Sequence, residues 1–174
     1  QCLSGAVAVV EDRVCSRAMG EHHEWSVHQS LRFITAAHNQ RVPPPSSTLI
    51  VVEQIMTPQE TAQNYDKLAV HWNSEKFNRA NGIEQHQRAL QFLKQRRRAI
   101  GIGCGSSGRL IEPLVAEGFE TEGLDISAGM LRLVKARHAE QTFHHADICE
   151  WEFAQRYAFI TAWDSVWHVP LKQY

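Results

Sequence analysis

The sequence predicts an α/β fold built on a parallel sheet, and three observations lead to this prediction. From Met56 onward, short apolar stretches alternate with amphipathic ones, as they do in successive β–α–β units. Residues 101–108 contain four glycines, at the point where the first of these apolar stretches ends. Asp125 and Asp147 follow the next two apolar stretches. In a parallel sheet such positions meet at one edge, where open α/β sheets bind ligands.

A helical segment is predicted ahead of the sheet. The sequence Thr57-Pro58-Gln59-Glu60 fits a capping box with proline at the first helical position, so a helix is expected from Pro58 to Trp72. Asn81-Gly82 interrupts the pattern, and a second helix is expected from about Ile83 to Lys94. The apolar face of the first helix carries Ala62, Tyr65, Leu68, Ala69 and Trp72.

Strands and helices then alternate. Strands are predicted at 99–103, 119–124, 142–146 and 157–163, and helices at 108–117 and 127–139. Pro113 lies inside the first of these helices and removes a backbone donor, so we expect a bend there.

Composition limits the classes of function. The 174 residues suffice for about one domain, and the net charge of −1 gives no field that attracts nucleic acid or an anionic membrane. No apolar stretch approaches the ~20 residues of a membrane span. The four cysteines show no CxxC spacing, which favours buried or free thiols in a reducing cytosol. We expect a cytoplasmic protein that binds neither nucleic acid nor membrane.

Residues 1–55 differ from the rest because they show no sustained helical period. We expect a poorly ordered extension over 1–55 and a partial ligand-binding domain over 56–174. A further hypothesis is that the extension is upstream sequence read in frame, with the natural start at Met56.

The glycines suit the close approach of a ligand to the backbone. Gly103, Gly105 and Gly108 form a GxGxxG pattern, and the following helix would offer unpaired amides and a partial positive charge. This pattern alone also fits a dinucleotide-binding fold or a tight turn without a ligand. Asp125, 20 residues after Gly105, ends the second strand, where a carboxylate can accept hydrogen bonds from both hydroxyls of a ribose.

Two further strand ends carry polar groups. Asp147 follows the third strand and can accept a hydrogen bond from an exocyclic amine such as that of adenine, and Ile148 offers a backbone N–H and an apolar surface. The fourth strand runs into TAWDSVWHVP, which contains Trp163, Asp164 and His168. Three successive strand ends therefore suit one nucleoside.

Four motifs, taken in order and spacing, resemble a class I S-adenosylmethionine-dependent methyltransferase: GIGCGSSGRLIEPL, GLDIS, HADI and WDSVWHVP. The resemblance extends from about Thr57 to the end of the chain. It implies a Rossmann-like three-layer sandwich with a parallel sheet of order 3-2-1-4 and an N-terminal helical cap. It also implies S-adenosylmethionine as the cofactor and a small-molecule methyl acceptor.

The resemblance further implies which residues contact the cofactor at its methionine and ribose. Gly103, Cys104 and Gly105 would line these two parts, and Asp125 would hold the ribose. Trp163 would face the methionine portion. Tyr65 lies in the helix that closes over the cofactor in relatives.

At the adenine, the resemblance implies contacts from Ile126, Asp147 and Ile148. The family usually has Asp or Glu at the position of Gly101, so the sequence departs from the pattern there. Relatives carry three further strands, so we expect this chain to be truncated at its C-terminus. The fourth strand would then be an exposed edge, through which the chain could self-associate.

Methyl transfer requires an in-line nucleophile and the exclusion of water, and a general base only if the acceptor must lose a proton. His168 is the best candidate for that base, although packing of its loop is an equally simple role. Asp164 could orient the substrate or cap the following helix. We expect no metal, because neighbouring residues of a strand, such as His144 and His145, point to opposite faces.

Two alternatives remain open. An NAD-dependent oxidoreductase shares the GxGxxG pattern and the acid of the second strand, but it does not explain Asp147 or WDSVWHVP. A non-catalytic remnant that binds a nucleoside weakly or not at all is favoured by the missing acid at Gly101 and the missing C-terminal half.

Overall fold

The computed structural model describes residues 56–166 and 169 and the backbone of residues 6–9. The helices are α1 (Pro58–Trp72), α2 (Ile83–Leu90), α3 (Ile111–Ala116) and α4 (Ala128–Arg137). The strands are β1 (Ala6–Val9), β2 (Arg98–Ile102), β3 (Glu120–Asp125), β4 (Thr142–His145) and β5 (Phe159–Ala162).

The sheet has the order β1-β5-β2-β3-β4. Strands β2 to β5 are parallel and follow the predicted order 3-2-1-4, so the predicted fold class is confirmed. Strand β1 runs antiparallel along β5, with Ala6 opposite Ala162 and Val9 opposite Phe159. The prediction that the fourth strand is an exposed edge is therefore wrong, because β1 pairs with its backbone. The surface on which the predicted self-association depended is covered by the chain itself.

Only the strand β1 of the predicted extension belongs to the described residues, and 1–5 and 10–55 lie outside them. The expectation that 1–55 is a poorly ordered extension therefore stays a prediction. No helix among the described residues is both long and apolar enough to cross a bilayer.

Helix α1 begins and ends where the sequence predicts. The Thr57 hydroxyl accepts from Glu60 N at 3.2 Å, and the Glu60 carboxylate accepts from Thr57 N at 2.7 Å, which completes the capping box. On the predicted apolar face Ala69 is buried, but Leu68 is 47% exposed. The buried face of α1 is therefore narrower than the face that the apolar period predicts.

Helices α2 and α3 are shorter than predicted. Leu93 is buried although α2 ends at Leu90, because a turn after the helix returns it to the core. Since α3 begins at Ile111, Pro113 occupies its first turn, where the backbone N–H has no helical partner. The bend expected at Pro113 is therefore not required.

The core lies on both faces of the sheet, as parallel strands require. One face packs against helices through Leu90, Leu93, Ala99, Leu114, Phe119 and Phe159, and through Ile111, Leu131, Val134 and Phe143. The other face is covered by the irregular segment 146–157 and contains Ile100, Ile102, Leu124, Tyr157, Ile160 and Ala162.

Candidate functional site

A cavity of about 160 Å³ lies at the carboxyl edge of the sheet, under α1. The predicted cofactor-binding residues line it, and so does Asp164, one of the two predicted catalytic residues. His168, the predicted base, lies outside the described residues. The predicted residues in the cavity wall are Tyr65, Gly103, Cys104, Gly105, Asp125, Ile126, Asp147, Ile148 and Trp163, together with Asp164.

The glycine loop after β2 presents bare backbone to this cavity. Gly105 has φ +67°, and a Cβ placed on it would have no atom within 4 Å. Gly103, with φ +64°, is needed for packing, since its Cβ would lie 2.2 Å from Cβ of Ser165. Gly108 likewise permits close packing, with Nε2 of His138 2.6 Å from its would-be Cβ. Of the three motif glycines, Gly105 is the one that opens space for a ligand.

Asp125 joins the glycine loop to the end of β3. Its Oδ2 accepts from Gly105 N at 2.8 Å and its Oδ1 accepts from Ser127 N at 2.9 Å. A carboxylate has about four lone-pair positions, and the backbone of Ile126 also donates to Asp125, so about one remains for a further donor. Burial raises the pKa of Asp125, although the backbone donors act in the opposite direction. The side chain is thus oriented by main-chain groups and has capacity to accept from a ligand.

The end of β4 forms the next part of the wall. Ala146 N donates to Asp125 O at 3.2 Å, which holds the ends of β3 and β4 side by side. Asp147 Oδ1 accepts from Cys149 N at 2.9 Å, and the Asp147 carboxylate also forms a side-chain hydrogen bond with Cys149. Asp125 and Asp147 therefore face one cavity from neighbouring strands.

Helix α1 covers the cavity and is hydrogen-bonded to the start of α4. Asp66 Oδ1 accepts from Ser127 Oγ at 2.6 Å and from Gly129 N at 2.7 Å, and these bonds lower the pKa of Asp66. A Cβ at Gly129 would lie 2.9 Å from that oxygen, so the approach requires glycine. At the adjacent position of α1, burial raises the pKa of Tyr65, and the charges of Asp125 and Asp164 raise it further.

The end of β5 forms the opposite wall. The Trp163 ring packs on Gly82, whose would-be Cβ lies 2.7 Å from it. Asp164 has φ +55°, and its Oδ2 accepts from Asn81 Nδ2 at 3.0 Å and lies 3.7 Å from Arg109 Nη2. The predicted helix-capping role of Asp164 stays a prediction, because most of the segment that follows it lies outside the described residues.

Sequence reading missed two buried polar residues behind this wall. His86 donates from Nδ1 to Gly82 O at 2.6 Å, and the Thr161 hydroxyl donates to its Nε2. Burial lowers the pKa of His86 to about 4, so the ring is neutral at physiological pH. Arg109 donates to Asn81 O and lies over the Phe77 ring at 5.2 Å. No spacing rule reveals the contacts of His86 with Thr161 and of Arg109 with Asn81, because these partners come from distant segments.

The remaining candidates show no further chemistry. Burial raises the pKa of the Cys104 thiol well above its usual value, so Cys104 is a neutral part of the wall. His144 and His145 bond separately, to Glu122 at 2.6 Å and to Ile126 O at 3.0 Å. No group of three His, Cys, Asp or Glu side chains within the described ranges could hold a metal ion, and the absence of a metal stays a prediction.

Comparison with solved structures supports the fold. Phosphoethanolamine N-methyltransferase 2 from Haemonchus contortus, in complex with phosphomonomethylethanolamine and S-adenosylhomocysteine, is 21% identical with a TM-score of 0.50. The match covers 68% of this chain and 30% of that one. Two matches have lower scores. One is an amino pentose methyltransferase from Micromonospora echinaspora, with 19% identity and a TM-score of 0.41. The other is the PH0226 protein from Pyrococcus horikoshii OT3, with 22% identity and a TM-score of 0.41.

Those two matches cover 51% and 52% of this chain, and 37% and 41% of the other chains. The chain therefore spans less than half the length of the structures it resembles. No curated protein matches.

Residues 71–172, more than half of the chain, match a protein family described as a methyltransferase domain. This range includes the glycine loop and the carboxyl ends of all four parallel strands. The resemblance stated from the sequence is confirmed, and the chain belongs to the methyltransferase-domain family.

Proposed function

We propose that this cavity binds S-adenosylmethionine and that the protein transfers its methyl group to a small-molecule acceptor. One observation carries the proposal: Asp125, Asp147 and the bare backbone at Gly105 line a single cavity in a chain of the methyltransferase-domain family. The fit is chemical as well as spatial, because ribose hydroxyls and the adenine amine are donors and both strand ends present acceptors.

Each wall would bind one part of the cofactor. Asp125 would accept from a ribose hydroxyl with the lone pair that its backbone donors leave available. Asp147 would accept from the adenine amine, with Ile126 and Ile148 on the faces of the base. The loop from Gly103 to Gly105 would contact the ribose and the start of the methionine portion.

The bound cofactor supplies a methyl group on a positively charged sulfur. The chain's own contribution is to hold that sulfur in place and exclude water. Trp163 is 8% exposed and Tyr65 is half-buried, so both rings can shield a cation in the cavity. A catalytic role for His168 as base, and for Asp164 in orienting the acceptor, remains a proposal.

The family match favours methyl transfer over the NAD-dependent oxidoreductase. We also infer a cytoplasmic location, since Cys104 and Cys149 are free thiols. These two inferences are independent of each other.

Titration calorimetry tests the proposed cofactor directly. We expect the chain to bind S-adenosylhomocysteine and not NAD, and Asp125→Ala to weaken binding by about 10- to 100-fold, since a charge-assisted hydrogen bond is lost. Lys67→Ala, an exposed change on α1, is the matched control and should bind as the unchanged chain does. Preference for NAD would support the oxidoreductase, and binding of neither compound would support the non-catalytic remnant.

A further inference from the structure

A histidine from α4 holds the second half of the glycine loop. His138 Nε2 lies 3.0 Å from Ser107 O. A carbonyl oxygen can only accept a hydrogen bond, so Nε2 carries the proton and donates. His138 follows the last residue of α4, and its side chain is 15% exposed. This hydrogen bond therefore joins the end of α4 to the loop that follows β2.

The loop itself has little conformational restraint. Gly103, Gly105 and Gly108 have φ of +64°, +67° and +63°, and glycine loses more conformational freedom on folding than any other residue. Contacts with other elements must offset that entropy if the loop is to keep one shape. Ser106 and Ser107 are buried in the cavity wall, so the shape of this stretch sets part of the wall.

The two halves of the loop are anchored at opposite ends of the β3–α4 unit. Asp125, at the end of β3, accepts from Gly105 N at 2.8 Å. His138, at the end of α4, donates to Ser107 O. Gly108 makes room for this second anchor, because a Cβ there would lie 2.6 Å from Nε2 of the ring. The third glycine of the motif thus serves the contact with His138.

We propose that His138 is a positioning residue for cofactor binding, which holds the ligand-free loop in the shape that leaves Gly105 open. This inference rests on the proposed function, since it concerns the same cavity. His138 is not among the described residues that line the cavity, so it acts through Ser107. The apparent dissociation constant rises as the fraction of chains with a binding-competent loop falls.

Binding kinetics of S-adenosylhomocysteine separate this role from a direct contact. His138→Leu removes the donor and should weaken binding by about 3- to 10-fold, the range for one net hydrogen bond. The loss should lie in the association rate, with the dissociation rate within about twofold, because the bound ligand keeps all its contacts. Stopped-flow tryptophan fluorescence measures both rates, since Trp72 and Trp163 line the cavity.

A conservative variant tests rescue. The side-chain amide of His138→Gln can donate to the same carbonyl, so this variant should bind within about twofold of the unchanged chain. Glu112→Gln is the matched control, because Glu112 Oε1 lies 3.6 Å from the same Nε2 and its side chain is 53% exposed. It should leave the affinity unchanged.

Hydrogen exchange of the chain without ligand tests the anchor separately. The amides of Gly105 and Arg109, both hydrogen-bonded, flank the stretch 106–108. They should exchange faster in His138→Leu than in the unchanged chain, and His138→Gln should restore slow exchange. Exchange in β3 should stay the same in all three.

Four results would overturn the inference while the unchanged chain still binds the nucleoside, so the proposed function would stand. His138→Leu binds as tightly as the unchanged chain, or its loss lies in faster dissociation. His138→Gln fails to recover binding. Glu112→Gln weakens binding as His138→Leu does. The loop amides exchange at the same rate in His138→Leu. If the unchanged chain does not bind S-adenosylhomocysteine, the proposed function fails and the inference fails with it.

Discussion

Strand β3 carries two buried carboxylates that are held in different ways. Asp125 is 8% exposed and Glu122 is 7% exposed. Asp125 accepts from the backbone of Gly105 and Ser127. Glu122 instead accepts from side chains: Tyr157 Oη at 2.9 Å, His144 Nε2 at 2.6 Å and Gln155 Nε2.

The difference separates a ligand site from a structural one. Two donors of Glu122, Gln155 and Tyr157, come from the segment that covers the second face of the sheet, and the third, His144, lies on β4. Together they occupy both oxygens of Glu122. The donors of Asp125 belong to the loop and helix start around the cavity, which Asp125 itself lines. Burial of a carboxylate is therefore not a sign of function; the identity of its donors is.

The largest effect that would test this comparison is the loss of Glu122. Glu122→Ala leaves the Tyr157 and His144 donors unpaired and should lower the free energy of unfolding by about 2–3 kcal/mol, measured by urea denaturation. Affinity for S-adenosylhomocysteine should not change. Glu120→Ala, on the same strand but in an exposed pair with Arg98, should cost less than about 1 kcal/mol. A loss of affinity in Glu122→Ala at retained stability would contradict the comparison.

A pH titration of ligand affinity tests the part of the comparison that concerns Asp125. Ribose hydroxyls donate to the ionised carboxylate, so affinity should be highest when Asp125 is charged and should fall as the pH is lowered through its pKa. Burial raises that pKa above the ordinary 3.8, so the loss begins at a higher pH than an exposed aspartate would give. Below the raised pKa the affinity falls by about tenfold per pH unit.

Calorimetry with S-adenosylhomocysteine at falling pH measures this dependence. Asp125→Asn, which cannot ionise, should bind more weakly and with a flatter pH profile. An unchanged profile in Asp125→Asn would mean that another group controls the pH dependence.

The smallest effect concerns the contact that holds α1 over the cavity. Asp66→Ala removes the acceptor for Ser127 Oγ and Gly129 N, at the start of α4, and should cost about 1 kcal/mol of stability. Hydrogen exchange should become faster in α1 and stay unchanged in β2. Equal exchange in α1 of the variant and the unchanged chain would show that apolar packing alone fixes this helix.

Local signals in the sequence predicted most of the fold and ten of the residues that line the cavity. The capping box located α1, because a cap is made by residues three apart. The glycine loop and the acids at strand ends located the cavity, because parallel strands end at one edge. The family resemblance assigned Trp163 and Tyr65 to the cofactor, and both residues line the cavity.

Contacts between distant segments could not be predicted in this way. Asp66 meets Ser127 across 61 residues and Asn81 meets Asp164 across 83 residues. Neither pair leaves a period or a motif in the chain. The pairing of β1 with β5 escaped prediction for the same reason, since four alternating Ala and Val residues specify a strand but not its neighbour.

The burial of Cys104 gives the cavity a built-in chemical reporter. A thiol reacts with alkylating reagents as its thiolate, and a pKa raised well above the usual value keeps Cys104 protonated at neutral pH. Cys149, whose pKa is raised to about 12, is protected in the same way. Alkylation at either position should therefore be slow at neutral pH, and since both thiols line the cavity, its rate reports on the state of the cavity wall.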